Sequence, residues 1–256
     1  MAIKRKEYKF QKGRIIEIQE FHDGNYGAPG EKRIKKKKPT EEQMRLVNAK
    51  NKAMRCRHKM LEYLNPGDCF GTWTYATTNR PLDMKDFQKS IRIVRDEYHK
   101  RGYELFWFRN IERGTKGAWH IHFVVNEIGD TASIMKKAWN KGGTYTVAIK
   151  NEPKVYDEDF TKLAKYMTKD EFTREEKKDG TLGKPRIREA SYNTSRNMPL
   201  KKPHVDKLQR WKREVKPRKN YYIVSIYEGI NPATGFKYRR YVMARFPEKV
   251  KLNRRI

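Results

Sequence analysis

Residues 119–126 read Trp-His-Ile-His-Phe-Val-Val-Asn, and this alternation constrains the fold more than any other stretch of the chain. Successive side chains of a strand leave on opposite faces. Trp119, Ile121, Phe123 and Val125 therefore share one face, and His120 and His122 share the other. A strand divided in this way belongs to a sheet that packs one face and keeps the other for polar work.

The flanking sequence supplies the rest of the sheet. Cys69-Phe70-Gly71-Thr72-Trp73-Thr74-Tyr75-Ala76 is rich in strand formers. Asp83 then caps a helix carrying Phe87, Ile91, Val94 and Tyr98, ended by Gly102. Residues 103–112 read as a second strand, Arg113-Gly114-Thr115-Lys116-Gly117 as a turn, and 119–126 as the third strand. Residues 130–141 form a helix with Ile134, Ala138 and Trp139, stopped by Gly142-Gly143. Residues 144–150 are a fourth strand and 157–170 a further helix. The order is β-α-β-β-α-β-α. Its first six elements match the ferredoxin-like, or RRM-like, split arrangement: an α+β fold whose antiparallel sheet has its helices on one face, leaving the other open for a ligand. That element order alone does not give a function.

Charge narrows the partner. Sixty Lys and Arg against 31 Asp and Glu leave a net +29 and a pI near 10.0, so the chain attracts polyanions and nucleic acid is the leading partner. Hydrophobic residues at 36% and aromatics at 12% are enough for a true core, which excludes a wholly disordered basic tail. No apolar run approaches the ~20 residues of a membrane span. Met1-Ala2-Ile3-Lys4-Arg5-Lys6 lacks the apolar stretch of a secretory signal. Two cysteines, Cys56 and Cys69, make neither a disulfide framework nor a Cys-rich zinc site. These features describe a soluble protein of a reducing compartment, the cytoplasm. No GxxxxGK[ST] occurs, so no motor of its own is visible and no small-molecule cofactor is expected.

Four segments follow from this reading. Residues 1–39 are a basic, poorly patterned extension with one weak strand between Tyr8 and Phe21 and a charged linker containing Lys35-Lys36-Lys37-Lys38. Residues 40–66 are a basic helix, begun by Thr40 with Gln43 as its capping-box partner and stopped at Asn65-Pro66-Gly67. Residues 67–200 are the catalytic domain. Residues 201–256 are a basic extension with a short helix over 205–214 and a β-hairpin around Asn231-Pro232-Ala233-Thr234-Gly235. Trp73, Phe106 and Phe108 are the aromatics nearest the sheet, and an apolar sheet is expected to bury them rather than offer them to bases.

The chemistry gathers on the histidine face. His120 and His122 lie about 6.5–7 Å apart along a strand, close enough for two imidazoles to converge on one cation. Glu112 ends the neighbouring strand and joins that face if it stands opposite an even-numbered residue such as Ala118 or His120. Two imidazoles and a carboxylate suit Mg²⁺ or Mn²⁺ with positions left for water or phosphate oxygens, and zinc gains nothing without thiolates. Further on, Phe160, Leu163, Ala164 and Met167 form an apolar stripe at helical spacing, with Tyr166 beside it. Lys162 and Lys169 neighbour Tyr166 at i−4 and i+3. Ammonium groups favour the phenolate and can hold a phosphate. An amphipathic rim tyrosine with snorkelling lysines has the same pattern.

In this order the residues resemble a family. His120-Ile121-His122, preceded by Glu112-Arg113-Gly114 and followed by Lys165-Tyr166-Met167-Thr168-Lys169, resembles the HUH endonucleases with a single catalytic tyrosine, above all the rolling-circle replication initiators (Rep proteins) of small plasmids and phages. Phe70-Gly71-Thr72-Trp73-Thr74-Tyr75 is similar to that family's first motif. Tyr192-Asn193-Thr194-Ser195-Arg196-Asn197-Met198-Pro199 is similar to a segment beyond the nucleophile in some relatives. The likeness spans residues 67–200. It implies that Glu112, His120 and His122 hold a Mg²⁺ or Mn²⁺ ion and that Tyr166 attacks a phosphodiester of single-stranded DNA at an origin hairpin. The products would be a 5′-phosphotyrosyl enzyme and a free 3′-OH, and a later 3′-OH rejoins the strand. Lys169 and Lys162 would assist at the phosphate. Tyr156, ten residues before Tyr166 in a predicted turn, is not counted as a second nucleophile. A host helicase and polymerase would be the partners. A single-tyrosine transposase or relaxase shares this chemistry, and a non-catalytic RRM-like binder shares the fold without it.

Overall fold

The computed structural model describes residues 3–22, 40–79, 85–113, 118–169, 191–208, 210–211, 214–230 and 236–247. In chain order, β1 (Ile3–Phe10) and β2 (Ile15–His22) precede the long helix α1 (Glu41–Tyr63). Then come β3 (Cys69–Thr74), α2 (Asp86–Lys100), β4 (Trp107–Arg113), β5 (Trp119–Val125), α3 (Thr131–Ala138), β6 (Thr144–Ala148) and α4 (Thr161–Thr168). The last strands are β7 (Ser191–Thr194), β8 (His204–Leu208), β9 (Tyr221–Ile230) and β10 (Lys237–Arg245). The fold is mixed α+β, with antiparallel sheets and four α-helices among the described residues.

The chain divides into two units: residues 40–200, and residues 1–39 together with 201–256. In the first unit the sheet order is β6-β3-β5-β4-β7, with each described pairing antiparallel. The odd-numbered residues of β5 do what their alternation demands: Trp119, Ile121, Phe123 and Val125 join Trp73, Trp107 and Ile111 in a core closed by Phe87, Ile91, Val94 and Tyr98 of α2 and by Ile134, Met135 and Ala138 of α3. Trp139, just beyond α3, stacks on Trp73 with centroids 5.0 Å apart and donates its indole N–H to the Thr74 carbonyl. Gly71 is required here, because a Cβ on it would lie 2.4 Å from the Phe123 ring and from the Tyr145 carbonyl oxygen.

Helices cover both faces, which corrects the expectation of an open second face. Phe70, Phe108 and Val124 point away from α2 and α3 and are buried all the same. α4 lies on that side, where the Tyr166 ring meets Phe70 edge-on at 5.8 Å and the Asn110 amide donates to the Lys169 carbonyl. α1 packs against α4 through its second half, where Cys56, Met60, Leu61 and Leu64 are buried. The missing signal was amphipathicity confined to one end: residues 40–51 of α1 are exposed, so the helix reads as basic surface. Its start follows the sequence closely, with Thr40 Oγ1 accepting from Gln43 N–H and Gln43 Oε1 accepting from Thr40 N–H. Trp73 and Phe108 are core, and Phe106 is half-buried against Tyr63.

β7 was not foreseen as a strand. It pairs with the outer edge of β4, Asn110 standing opposite Tyr192. Four residues are too few for period-two alternation to register. The Cys56 thiol beside Tyr192 and the Cys69 thiol within the sheet are both buried, and burial pushes each up to about 12. At pH 8 such a thiol is thiolate only about once in 10⁴, against roughly a quarter for a free one. A thiol titration with Ellman's reagent should therefore read close to zero on the native chain and two per chain after denaturation.

The second unit departs more from expectation. Its described residues form a five-stranded antiparallel sheet ordered β8-β1-β2-β10-β9. What the sequence suggested as one weak strand in a loose extension is a hairpin, β1 turning into β2 through Gln11 and Lys12 at φ 47° and 55° and Gly13 at φ 88°. The pattern was obscured because charged residues occupy inward positions: Glu20 is buried against Arg239, and Glu7 is paired with Arg218. The helix expected over 205–214 is absent at its start, where His204–Leu208 is an edge strand laddered onto β1. Asp83, the 114–117 turn, the 24–39 linker with its lysine run, the 173–188 stretch and the 231–235 turn lie outside the described residues.

Candidate active site

β5 carries the centre of the site. In the β4–β5 ladder Glu112 stands opposite His120, the even-numbered partner, so its carboxylate shares the histidine face. It reaches diagonally to His122, with Oε1 3.0 Å from Nε2, and also meets the Lys169 ammonium at 3.1 Å. Thr72, opposite His122 on β3, places Oγ1 2.9 Å from Nδ1. Both ring nitrogens of His122 thus have a fixed partner, and such pairing sets the orientation of an imidazole.

α4 brings the phenol. It begins late, at Thr161, because the preceding residues are spent on starting it. Phe160 takes a left-handed conformation with φ 55°, Asp159 Oδ1 accepts from Thr161 N–H, and Asp157 Oδ2 accepts from Lys162 N–H. Leu163, Ala164 and Met167 are buried, which leaves Tyr166 half-buried at the margin of the stripe. Its hydroxyl lies 3.2 Å from His122 Nε2 and 3.3 Å from Nδ1, approaching the imidazole between the two nitrogens. The Lys169 ammonium stands 4.1 Å from the centre of the Tyr166 ring. It therefore links the Glu112 carboxylate to the phenol.

Five of the six residues singled out from sequence thus share one face: Glu112, His120, His122, Tyr166 and Lys169. Lys162 does not join them. It sits in the first turn of α4, its side chain is exposed, and no hydrogen bond or ion pair joins its ammonium to the cluster among the described residues. Helical proximity to Tyr166 does not hold a long side chain that solvates freely. Thr72 and Asn110 were missed. Asn110 is fully buried two residues before Glu112, opposite His122, and holds the end of α4 through the Lys169 carbonyl. The same period-two count that marks His120 and His122 marks both of them.

Divalent-ion chemistry can be tested against this donor set. The 3.0 Å between His122 Nε2 and Glu112 Oε1 is about the spacing of two adjacent ligands around an octahedral ion with ~2.1 Å bonds. His120 lies further off, its ring centroid 6.4 Å from that of His122 and inclined by 18°. Burial and the neighbouring His122 lower the pKa of His120 against the pull of Glu112, which favours the neutral ring and keeps a lone pair available. Among the described residues no three such side chains are drawn into a ready cage. The donor types fit a hard divalent ion, with His122 and Glu112 as the close pair and His120 as the outlying ligand. No helix among the described residues is long and apolar enough to cross a membrane.

No curated protein and no solved structure matches the chain. Residues 68–171 match the family described as Replication-associated protein ORF2, and this stretch runs from the start of β3 past the end of α4. The part of the chain that carries the whole cluster is therefore similar to a replication-associated protein family.

Proposed function

We propose that residues 40–200 form a nicking and joining enzyme that acts on single-stranded DNA in the initiation of rolling-circle replication. We read the β6-β3-β5-β4 order as the split βαβ sheet that this chemistry uses. The observation that carries the proposal is the Tyr166 hydroxyl 3.2 Å from His122, on the face shared with Glu112. Tyr166 attacks the phosphorus in line, the P–O3′ bond breaks, and the departing oxygen leaves as a 3′-OH. The DNA 5′ end is then held as a phosphotyrosine, and a 3′-OH attacking that phosphorus reverses the step. Lys169, already between Glu112 and the ring, orients the phosphate and favours the phenolate. Thr72 holds His122 in place. Asn110 holds the end of α4 that bears Lys169. Glu112, His120 and His122 would hold Mg²⁺ or Mn²⁺, which when bound supplies Lewis-acid polarisation of the phosphate.

The direct test incubates the chain with single-stranded oligonucleotides and a divalent ion, digests it, and identifies the adducted peptide by mass. DNA on the peptide containing Tyr166 supports the proposal, and DNA on any other residue refutes the assigned nucleophile. Chelating divalent ions should stop nicking, and adding back Mg²⁺ or Mn²⁺ should restore it. Restoration by zinc alone would count against the hard-ion assignment.

A further inference from the structure

The charge of the chain is unevenly divided. Residues 1–39 and 201–256 hold 29 Lys and Arg against 9 Asp and Glu, a net +20 on 95 residues, whereas residues 40–200 hold 31 against 22, a net +9. Several acids of the terminal unit are turned to its own arginines: Glu20 to Arg239 and Arg5, Glu7 to Arg218, Glu228 to Arg239. Glu17 is fully buried. The field outside the unit is therefore dominated by cations.

One end of its sheet also collects aromatic rings. Ile16, Ile18, Tyr241 and Met243 pack on one face. On the opposite face the register sets Tyr227 beside Arg240, Arg240 beside Gln19, and Gln19 beside Lys6. The next row sets Tyr238 beside Phe21 and Phe21 beside Lys4. The Lys6 ammonium lies 5.4 Å from the Phe21 ring centre, the Arg240 guanidinium 5.8 Å from that of Tyr227, and the Tyr227 and Tyr238 rings are 6.0 Å apart. Tyr227 is 54% exposed. A Cβ on Gly229 would lie 2.7 Å from the Tyr238 hydroxyl, so glycine lets that ring lie close against the backbone of β9.

We propose that this face binds a single-stranded polynucleotide, with bases stacked on Tyr227, Tyr238 and Phe21 and phosphates held by Lys4, Lys6 and Arg240. Cations interleaved with rings at such spacing complement the alternation of base and phosphate along an unpaired strand. A duplex hides its base faces and offers only phosphates, leaving the rings without a partner. The surface lies outside the residues of the nicking cluster and does not depend on their chemistry.

Fluorescence anisotropy of labelled oligonucleotides tests this on the full chain carrying Tyr166→Phe, so that nicking does not enter the measurement. Tyr227→Ala with Tyr238→Ala should weaken single-strand binding about tenfold or more and leave its salt dependence unchanged. Lys4→Gln with Lys6→Gln, a surface change that keeps the sheet intact, should reduce the slope of log affinity against log salt by about 1.4. DNA and RNA strands of one sequence, and the matching DNA duplex, distinguish the ligand source. Loss on either single strand supports the proposal. Tighter binding to the duplex, or unchanged affinity and slope in both variants, overturns it and leaves the nicking proposal untouched.

Discussion

Replacing Tyr166 by Phe should abolish covalent attachment to single-stranded DNA, lowering nicking by about 10⁴ or more. The substitution removes one oxygen and little else. The ring keeps its edge contact with Phe70 at 5.8 Å and its place 4.1 Å from the Lys169 ammonium. Binding, which draws on cations and rings elsewhere, should stay within about twofold. Adduct formation on a denaturing gel and anisotropy of an uncleaved strand measure the two effects separately. A Phe variant that still forms the adduct would place the nucleophile on another residue. One that loses binding together with cleavage would make Tyr166 a binding side chain.

The second large effect should come from the pair that sets α4 in place. Arg57 of α1 and Asp159 are both buried, with Nη1 3.5 Å from Oδ2, and Arg57 also donates to the Asp159 carbonyl at 3.2 Å. Asp159→Ala leaves a guanidinium in the interior without its counter-charge, which should cost about 3–5 kcal/mol in a urea unfolding curve. That is a large part of the 5–15 kcal/mol typical of a folded domain. The loss of the carboxylate that caps Thr161 adds about 1 kcal/mol. Replacing both partners by apolar residues of similar volume, Arg57→Met with Asp159→Leu, should recover most of the loss. Desolvating two charges offsets much of what their attraction returns. If the single and double variants were equally unstable, packing rather than charge would hold α1 to α4.

How much was legible beforehand depended on the range of the interaction. The capping box at Thr40, the alternation of β5 and the apolar stripe of α4 are statements about neighbours one to four residues apart, and the structure repeats them. The hairpin of residues 3–22 was not legible, because its inward glutamates look like surface charge until Arg218 and Arg239 arrive from two hundred residues away. The strand at 204–208 was misread as helix for a related reason: an edge strand takes its conformation from the partner it ladders onto.

The same division runs through the candidate site. Local order determined that His120 and His122 leave one face together and that Tyr166 stands at the margin of its helix rather than in its core, since strand and helix periods are properties of the backbone itself. Tertiary structure decided the rest: that the β4–β5 register turns Glu112 toward His122, that α4 lies on the histidine side of the sheet, and that Lys169 enters the cluster while Lys162 stays in water. Those outcomes join residues 10 to 57 positions apart. No periodicity encodes them, because they arise only when separate elements bury their apolar faces against one another.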